Sequence, residues 1–510
     1  MLDSFGHMLR LTRMGLTLLH HDALLPREYQ ERMPAPLRFI GGVLRPFAMR
    51  RRGRSVGARL ALALEKLGPA YVKLGQFLAT RPDIIGVTAA DDLGRLKDRL
   101  PPFSRERALD TINAELGATE TLFGAISDPM AAASVAQVHQ AILPRGGVVA
   151  VKILRPRIEK RLMREMAALR YGAGLIEYFL PSTRRLEPVQ FVETVANALQ
   201  RECDLRLEAG AAAEFREVAI RDGFLAVPEI DWSRSSKQVM TLTWIDGAPL
   251  TQLDRVTAMG ADRAALATAV TRGFLAAALD HGFFHADMHE GNLIYGKDGK
   301  LWVVDFGIMG RIGKKERRYL AEILYGFLRR DYRRVAEVHY EAGYVAEKVT
   351  IEEFSQALRA IGEPIFGKTA DQVSMSRLLL QLFDVSHLFG MHLRPELVML
   401  QKTMVQVEGV ARALFPKHDM WADARPIVER WVKRELGPEG IARRAADEAS
   451  SGWSALRRLP NTVRLLEQAA RNMKPEPAPA RRAHFQWMSF WLGSVVAGLA
   501  VTVLYLLNVL

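Results

Sequence analysis

Asp287, Asn292 and Asp305 are the residues of this chain whose types and spacing point most directly to chemistry. They lie in His285-Ala286-Asp287-Met288-His289-Glu290-Gly291-Asn292 and in Asp305-Phe306-Gly307. Asp287 and Asn292 are five positions apart, the interval of an H-x-D-x-x-x-x-N loop. In such a loop the Asp takes an acceptor's proton and the Asn holds a metal. Asp305 follows Asn292 by thirteen residues. A cation bridging phosphates takes hard oxygen ligands, and Asn292 with Asp305 supplies them from two loops. The set reads as the Mg²⁺ and acceptor side of a phosphoryl-transfer site. The alternative is a polar loop that merely holds these letters. The flanks argue against it, because Leu293-Ile294-Tyr295 and Leu301-Trp302-Val303-Val304 read as two short strands around the turn Gly296-Lys297-Asp298-Gly299.

A second set lies upstream. Val149-Ala150-Val151-Lys152 is an apolar strand ending in a lysine, suited to pairing with nucleotide phosphates. Before it stands Ala131-Ala132-Ala133-Ser134-Val135-Ala136-Gln137-Val138. Set against G-x-G-x-x-G-x-V, every glycine position is alanine and the closing valine is Val138. Glycine matters in such a loop because it permits positive φ and close backbone approach to phosphate. Alanine keeps the N–H donors and adds a Cβ to each. The expectation is a stiffer loop that seats the terminal phosphate differently. Alone, the lysine would read as solvated and the alanines as a helix start; their separation suits a hairpin.

Together these segments resemble the UbiB atypical-kinase family, whose members support ubiquinone biosynthesis in bacteria and mitochondria. Lys73-Leu74-Gly75-Gln76 is similar to the family's K-x-G-Q, and Glu202-Cys203-Asp204 to its E-x-D. The resemblance spans roughly residues 55–435, with the motifs in family order. It implies that Lys73 and Gln76 sit in an N-terminal extension over the active site. It also implies that Glu202 and Asp204 contact that extension, and that Glu208 pairs with Lys152. The chain departs from the pattern at Ala136, where the family keeps a glycine, and at Glu290, where it keeps a proline. Ordinary protein kinases carry Arg and Lys where this chain has Ala286 and His289. No A-P-E follows Asp305, and Arg311-Ile312-Gly313-Lys314-Lys315-Glu316 leads quickly into a helical pattern. That leaves little room to dock a peptide.

Composition sets the bounds. The 510 residues are 49% apolar and 25% charged, a globular balance long enough for two or three domains. One cysteine, Cys203, excludes an intrachain disulfide and fits a reducing compartment. The formal charge of +13 invites a nucleic-acid partner. No helix-turn-helix, zinc-finger or RNA-binding signature accompanies it, so arginines at an anionic membrane surface account for it better. His20, His21 and His281 are scattered and have no ligand spacing.

From Trp487 to Leu510 there are 24 residues without a charge. As a helix they would extend about 36 Å, enough for a hydrocarbon core of about 30 Å. Trp487 and Trp491 would lie at the interface, and Arg481 with Arg482 would keep the main body cytoplasmic. Met1 to His20 lacks the apolar run of a signal peptide. It could form an amphipathic helix with Phe5, Met8, Leu9, Leu16 and Leu19 near one side, resting on a membrane or simply solvated.

The expected organisation begins with a basic, irregular lead over 1–54 and a helical K-x-G-Q extension over 55–120. A small lobe follows over 121–246, with strands at 148–153, 225–230 and 237–245 and one long helix from Pro188 carrying Glu202, Asp204 and Glu208. A large lobe over 247–437, further helices over 438–472, a proline-rich linker over 473–486 and a membrane-spanning helix over 487–510 complete it. Thr243 to Gly247 reads as the hinge between the lobes. The fold class is α+β: a protein-kinase-like two-lobe fold with an N-terminal helical extension and a C-terminal transmembrane helix.

The expected function is a membrane-anchored atypical kinase or ATPase. It would bind ATP or ADP with Mg²⁺ between two lobes and act on water or a small or lipid hydroxyl. The resemblance places it in ubiquinone biosynthesis at the bacterial inner membrane. Its partners would be membrane lipids, prenylated quinone precursors and other enzymes of that pathway, with no nucleic acid. Two rivals stand beside this reading. One is a small-molecule phosphotransferase of the aminoglycoside or choline type. The other is a nucleotide-gated pseudokinase that presents quinone precursors.

Overall fold

The computed structural model describes residues 2–24, 55–79, 85–94, 96, 101–179, 184, 187–345, 348–365, 381, 389 and 395–438. The helix expected over 487–510, the linker before it and, beyond residue 438, the helices expected over 438–472 lie outside the described residues. No helix among the described residues is long and apolar enough to cross a membrane. The chain forms two compact units. The described part of the first falls within Met1–Gly210 and Glu229–Trp244. That of the second falls within Ala211–Pro228 and from Ile245 onward.

The first unit is built on a four-stranded antiparallel sheet, β1(Ala125–Ala132), β2(Ala136–Ile142), β3(Val148–Leu154) and β4(Val239–Thr243), in that spatial order. Alternation along β3 decides which residues become core. Val149, Val151 and Ile153 pack with Ala108 and Ile112 of helix Arg105–Leu116, so Lys152 must point from the opposite face. In register Lys152 stands between Val138 on β2 and Met240 on β4. The edge strand β1 is irregular around Pro129, which has no N–H to give the ladder.

Two of the expected strands change. Residues 225–230 form only isolated bridges, Ala226 to Trp302 and Ile230 to Leu242, with Pro228 removing a donor between them. The strand expected over 237–245 is trimmed to Val239–Thr243. The single long helix expected from Pro188 is also corrected. It is two helices, Pro188–Glu202 and Leu205–Asp222. Asp204 breaks the run because its carboxylate accepts the backbone N–H of Arg206 at 3.2 Å, as an N-capping aspartate does.

Helices Val56–Leu67 and Pro69–Ala79 carry the K-x-G-Q stretch. Part of the lead expected to be irregular is helical, Leu2–His20. Its Leu18 and Leu19 join Ala23, Leu24 and Ala63 in a core cluster. The apolar side expected there is therefore divided: Leu19 is buried, while Phe5, Leu9 and Leu16 are exposed.

The second unit is mostly helical around two small sheets. One orders β5(Gly247–Pro249), β7(Leu293–Gly296) and β8(Leu301–Val303). The other pairs β6(Phe283–His285) with β9(Met309–Arg311). The two short strands expected around Gly296 to Gly299 are β7 and β8. Gly282 turns the chain from the helical stretch ending at His281 into β6 with φ 67°. A Cβ there would sit 2.5 Å from the Ile312 carbonyl oxygen, so only glycine fits. Helix Arg263–Ala276 packs against helices Pro395–Leu414 and Met420–Leu436. Phe327, Tyr332, Val335, Phe354 and Leu358 form a further core.

Candidate functional site

In the first unit Lys152 meets Glu208 at 2.6 Å. The lysine is 16% and the glutamate 10% exposed, so water screens the pair poorly and each charge depends on the other. Lys73 meets Glu202 at 3.1 Å, and Gln76 reaches the Leu96 carbonyl at 3.5 Å. Glu202 and Glu208 thus pair with Lys73 and Lys152 from two helices rather than one. Asp204 departs from its expected role. Its carboxylate is held by the Arg206 guanidinium at 2.6 Å rather than by the extension, and this hydrogen bond keeps it below the usual carboxylate range. Cys203 between them is buried, and burial pushes its thiol up to about 12. It is a packing residue and not a nucleophile.

The alanine-rich stretch is a tight hairpin. Ala131 and Ala132 end β1, Ala136 and Val138 lie in β2, and Ala133 N–H donates to the Ala136 carbonyl at 2.8 Å. Ser134, Val135 and Ala136 are buried. No residue from Ala131 to Val138 has a positive φ, so alanine meets no backbone strain there. Arg155 clamps the turn. Its Nε and Nη2 donate to the Ala133 carbonyl at 3.0 and 2.7 Å, and its own N–H donates to Val135 at 2.8 Å. The sequence reading missed Arg155. Its signal was position, three residues past the strand lysine where the chain leaves the sheet.

In the second unit His285 joins the two acidic loops. Its Nδ1 accepts the Asp287 N–H at 3.1 Å, so Nε2 carries the proton and donates to the Asp305 carbonyl at 2.8 Å. Full burial pushes its pKa down, which keeps the ring neutral in this bridging role. Phe306 is buried with its ring 5.7 Å from His285 and 6.0 Å from Phe215. The aromatic packing fixes the backbone that carries Asp305. Asp305 itself adopts φ 64°, an uncommon state for a non-glycine residue and one that clusters at functional sites.

Asn292 is buried, and its Nδ2 donates to the Asp287 carbonyl at 3.0 Å. Its own carbonyl accepts Val304 N–H at 2.9 Å, one residue before Asp305. Asp287, Asn292 and Asp305 are thus tied through backbone hydrogen bonds into one loop pair. Among the described residues no cluster of three His, Cys, Asp or Glu side chains could hold a metal. Asn292 and Asp305 nonetheless offer the oxygen donors that suit a hard cation whose remaining ligands come from phosphate and water.

Helix Pro395–Leu414 supplies residues the sequence reading did not single out. Gln406 Nε2 donates to Asp287 Oδ1 at 2.9 Å. Lys402 Nζ stands 4.0 Å from the same oxygen. The Thr403 hydroxyl lies 3.0 Å from the Ala286 carbonyl. The available signal was polar residues at Lys402, Thr403 and Gln406 interrupting an otherwise apolar helix face. His289 also leans in, with Nδ1 accepting Gly291 N–H at 3.0 Å and Nε2 3.7 Å from Asp287 Oδ2.

A kinase-like chain is the class that this arrangement defines. Residues 95–339 match the ABC1 atypical kinase-like domain, and residues 358–419 match the UbiB helical domain. The chain is 36% identical over 498 residues to the "Probable protein kinase UbiB" of Marinobacter nauticus, covering 94% of this chain and 90% of that one. It is 37% identical to the protein of the same description from Aeromonas hydrophila, over 89% of this chain and 84% of the relative. The chain belongs to the UbiB family. The solved complex of Rv3197 with erythromycin from Mycobacterium tuberculosis has a similar fold, with TM-score 0.51 and 22% identity over 74% of this chain and 91% of that chain.

Proposed function

We propose that this chain is an atypical kinase or ATPase that uses Mg²⁺ with ATP or ADP and supports ubiquinone biosynthesis at the bacterial inner membrane. The observation that carries the reading is the loop pair in which Asp287, Asn292 and Asp305 are tied together through His285 and Val304. Asn292 and Asp305 would hold Mg²⁺, which when bound neutralises phosphate charge. Lys152, held by Glu208, would contact phosphate. Asp287 would orient the acceptor and take its proton, with Gln406 fixing the carboxylate's direction. Helix Lys314–Arg329 begins soon after β9, which favours water or a small or lipid hydroxyl over a docked peptide. Residues 487–510 would anchor the chain in the membrane, and prenylated quinone precursors would be reached there.

The Asp287→Asn variant tests the reading. It should keep nucleotide binding, lose turnover and fail to restore ubiquinone in a strain lacking the native protein. Wild-type ubiquinone levels at matched expression would move the function to a binding scaffold.

A further inference from the structure

Two polar side chains stand on the apolar face of the first unit's sheet. Gln137 and His139 lie on β2 on the same side as Ala141, which packs with Ile112, Val151 and Ile153 in the core. Val138 between them turns the other way, in register with Lys152. Gln137 is 1% and His139 0% exposed. Apolar side chains would suit that face and avoid the cost of burying polar groups. Sheet stability therefore does not account for the pair. The hydrogen bonds it makes do.

The Gln137 amide pairs with the backbone of Phe103 in both directions. Its Oε1 accepts the Phe103 N–H at 2.9 Å, and its Nε2 donates to the Phe103 carbonyl at 3.1 Å. The second amide hydrogen goes to His139 Nε2, 2.8 Å away. That ring nitrogen is the acceptor, so Nδ1 carries the proton and donates to the Ser127 carbonyl on β1 at 2.8 Å. Burial pushes the His139 pKa down, which keeps the ring in this neutral form. The network thus runs from Phe103 through β2 to β1, across both strands of the alanine hairpin. Arg155 closes it at the other end. The guanidinium that holds the Ala133 carbonyl also donates from Nη1 to the Pro101 carbonyl at 2.9 Å, and it lies 5.8 Å from the centre of the Phe103 ring.

Residues 101–103 are therefore gripped twice, by side chains that also hold the hairpin. The segment is itself fixed, because it leads into helix Arg105–Leu116, whose Ala108 and Ile112 are buried in the core. A buried network with its partners satisfied specifies one geometry. We propose that Gln137, His139 and Arg155 are positioning residues that moor the alanine hairpin to residues 101–103 and so set how closely it approaches nucleotide phosphate, making the mooring a determinant of the choice between ADP and ATP. The inference rests on the phosphoryl-transfer reading and adds to it a specificity determinant rooted on the face of the sheet away from Lys152.

Full-length wild type, Gln137→Leu and Arg155→Gln are titrated with ADP and with ATP, each with Mg²⁺, and the ratio of the two affinities is read. Leucine removes the amide's hydrogen bonds at similar volume. Glutamine at 155 cannot span from Ala133 to Pro101, and because Arg155 is only half-buried this variant still reads the mooring if Gln137→Leu does not fold. Phe123→Leu, a core change at the far end of the sheet where Ala125 pairs with Ile142, controls for lost stability. A hairpin freed from its mooring approaches phosphate more closely. Both mooring variants should therefore raise the affinity for ATP relative to ADP at least about threefold, the worth of one hydrogen bond, and Phe123→Leu should leave the ratio unchanged. An unchanged ratio in Arg155→Gln, or an equal shift in Phe123→Leu, would overturn the proposal. A wild type that binds neither nucleotide would overturn the phosphoryl-transfer reading and this one with it. Normal wild-type binding with an unchanged ratio in the variants would overturn this inference alone.

Discussion

The side-chain amide of Gln406 donates to the Asp287 carboxylate at 2.9 Å, and so a helix more than a hundred residues downstream sets the direction of the proposed acceptor-facing oxygen. A positioning contact of this kind acts on turnover more than on nucleotide binding. Gln406→Leu should lower the ATP hydrolysis rate about tenfold with little change in nucleotide affinity. Gln406→Glu should be worse, because it sets a second carboxylate against Asp287. Steady-state hydrolysis beside a nucleotide titration reads the split. A matched loss of affinity would make Gln406 a structural residue only.

The hairpin around Ala133 is held by Arg155 and uses no positive φ. Ala133→Gly should therefore cost roughly 0.5–1 kcal/mol of stability through the unfolded chain. The looser loop should also bind ATP better relative to ADP. Arg155→Lys keeps the charge but cannot reproduce the double donation to one carbonyl. It should speed hydrogen exchange at residues 133–136. Unchanged ADP to ATP selectivity in the glycine variant would show that this alanine does not tune the loop.

Glu208→Gln leaves the poorly exposed Lys152 ammonium without its countercharge. A loss of about 1–3 kcal/mol is expected, smaller than for a fully buried pair because both groups keep some contact with water. Thermal unfolding of the full chain measures it. The double variant Lys152→Met with Glu208→Leu should recover much of the stability and none of the nucleotide binding.

His339 is fully buried among Tyr344 and Phe354, and burial pushes its pKa down to about 4. The unfolded state takes a proton near pH 6.5 while the folded state does not. The associated stability is thus complete above that pH and is lost as pH falls toward 4. The loss reaches about 3 kcal/mol at the lower end. In His339→Leu the slope of stability against pH between these values should flatten by that amount. An unchanged slope would mean that His339 is protonated in the folded protein.

How much of this was legible in the sequence depends on the kind of constraint. The loops around Asp287, Asn292 and Asp305 are local, and their strands β7 and β8 fell where apolar runs flank Gly296 to Gly299. Lys152 was readable because its strand alternates around it. Asp204 misled because a carboxylate inside an apparent helix can cap a new helix, here by accepting the Arg206 N–H at 3.2 Å, while Leu205 N–H leaves the helical pattern to donate to the Lys237 carbonyl at 2.9 Å. Gln406 and Arg155 stayed hidden for a related reason. Their partners are 119 and 22 positions away, and pairings at such separations leave no periodic trace.

The central claim is a Mg²⁺-dependent nucleotide site in which Asp305 is a ligand. Thermal-shift titration of purified full-length protein with ATP, with and without Mg²⁺, measures it most directly when wild type and Asp305→Asn are run together. The account predicts strong Mg²⁺-dependent stabilisation of the wild type by ATP and loss of at least about tenfold in apparent affinity in the variant. Identical Mg²⁺-dependent titrations for the two proteins would contradict it and remove Asp305 from the site.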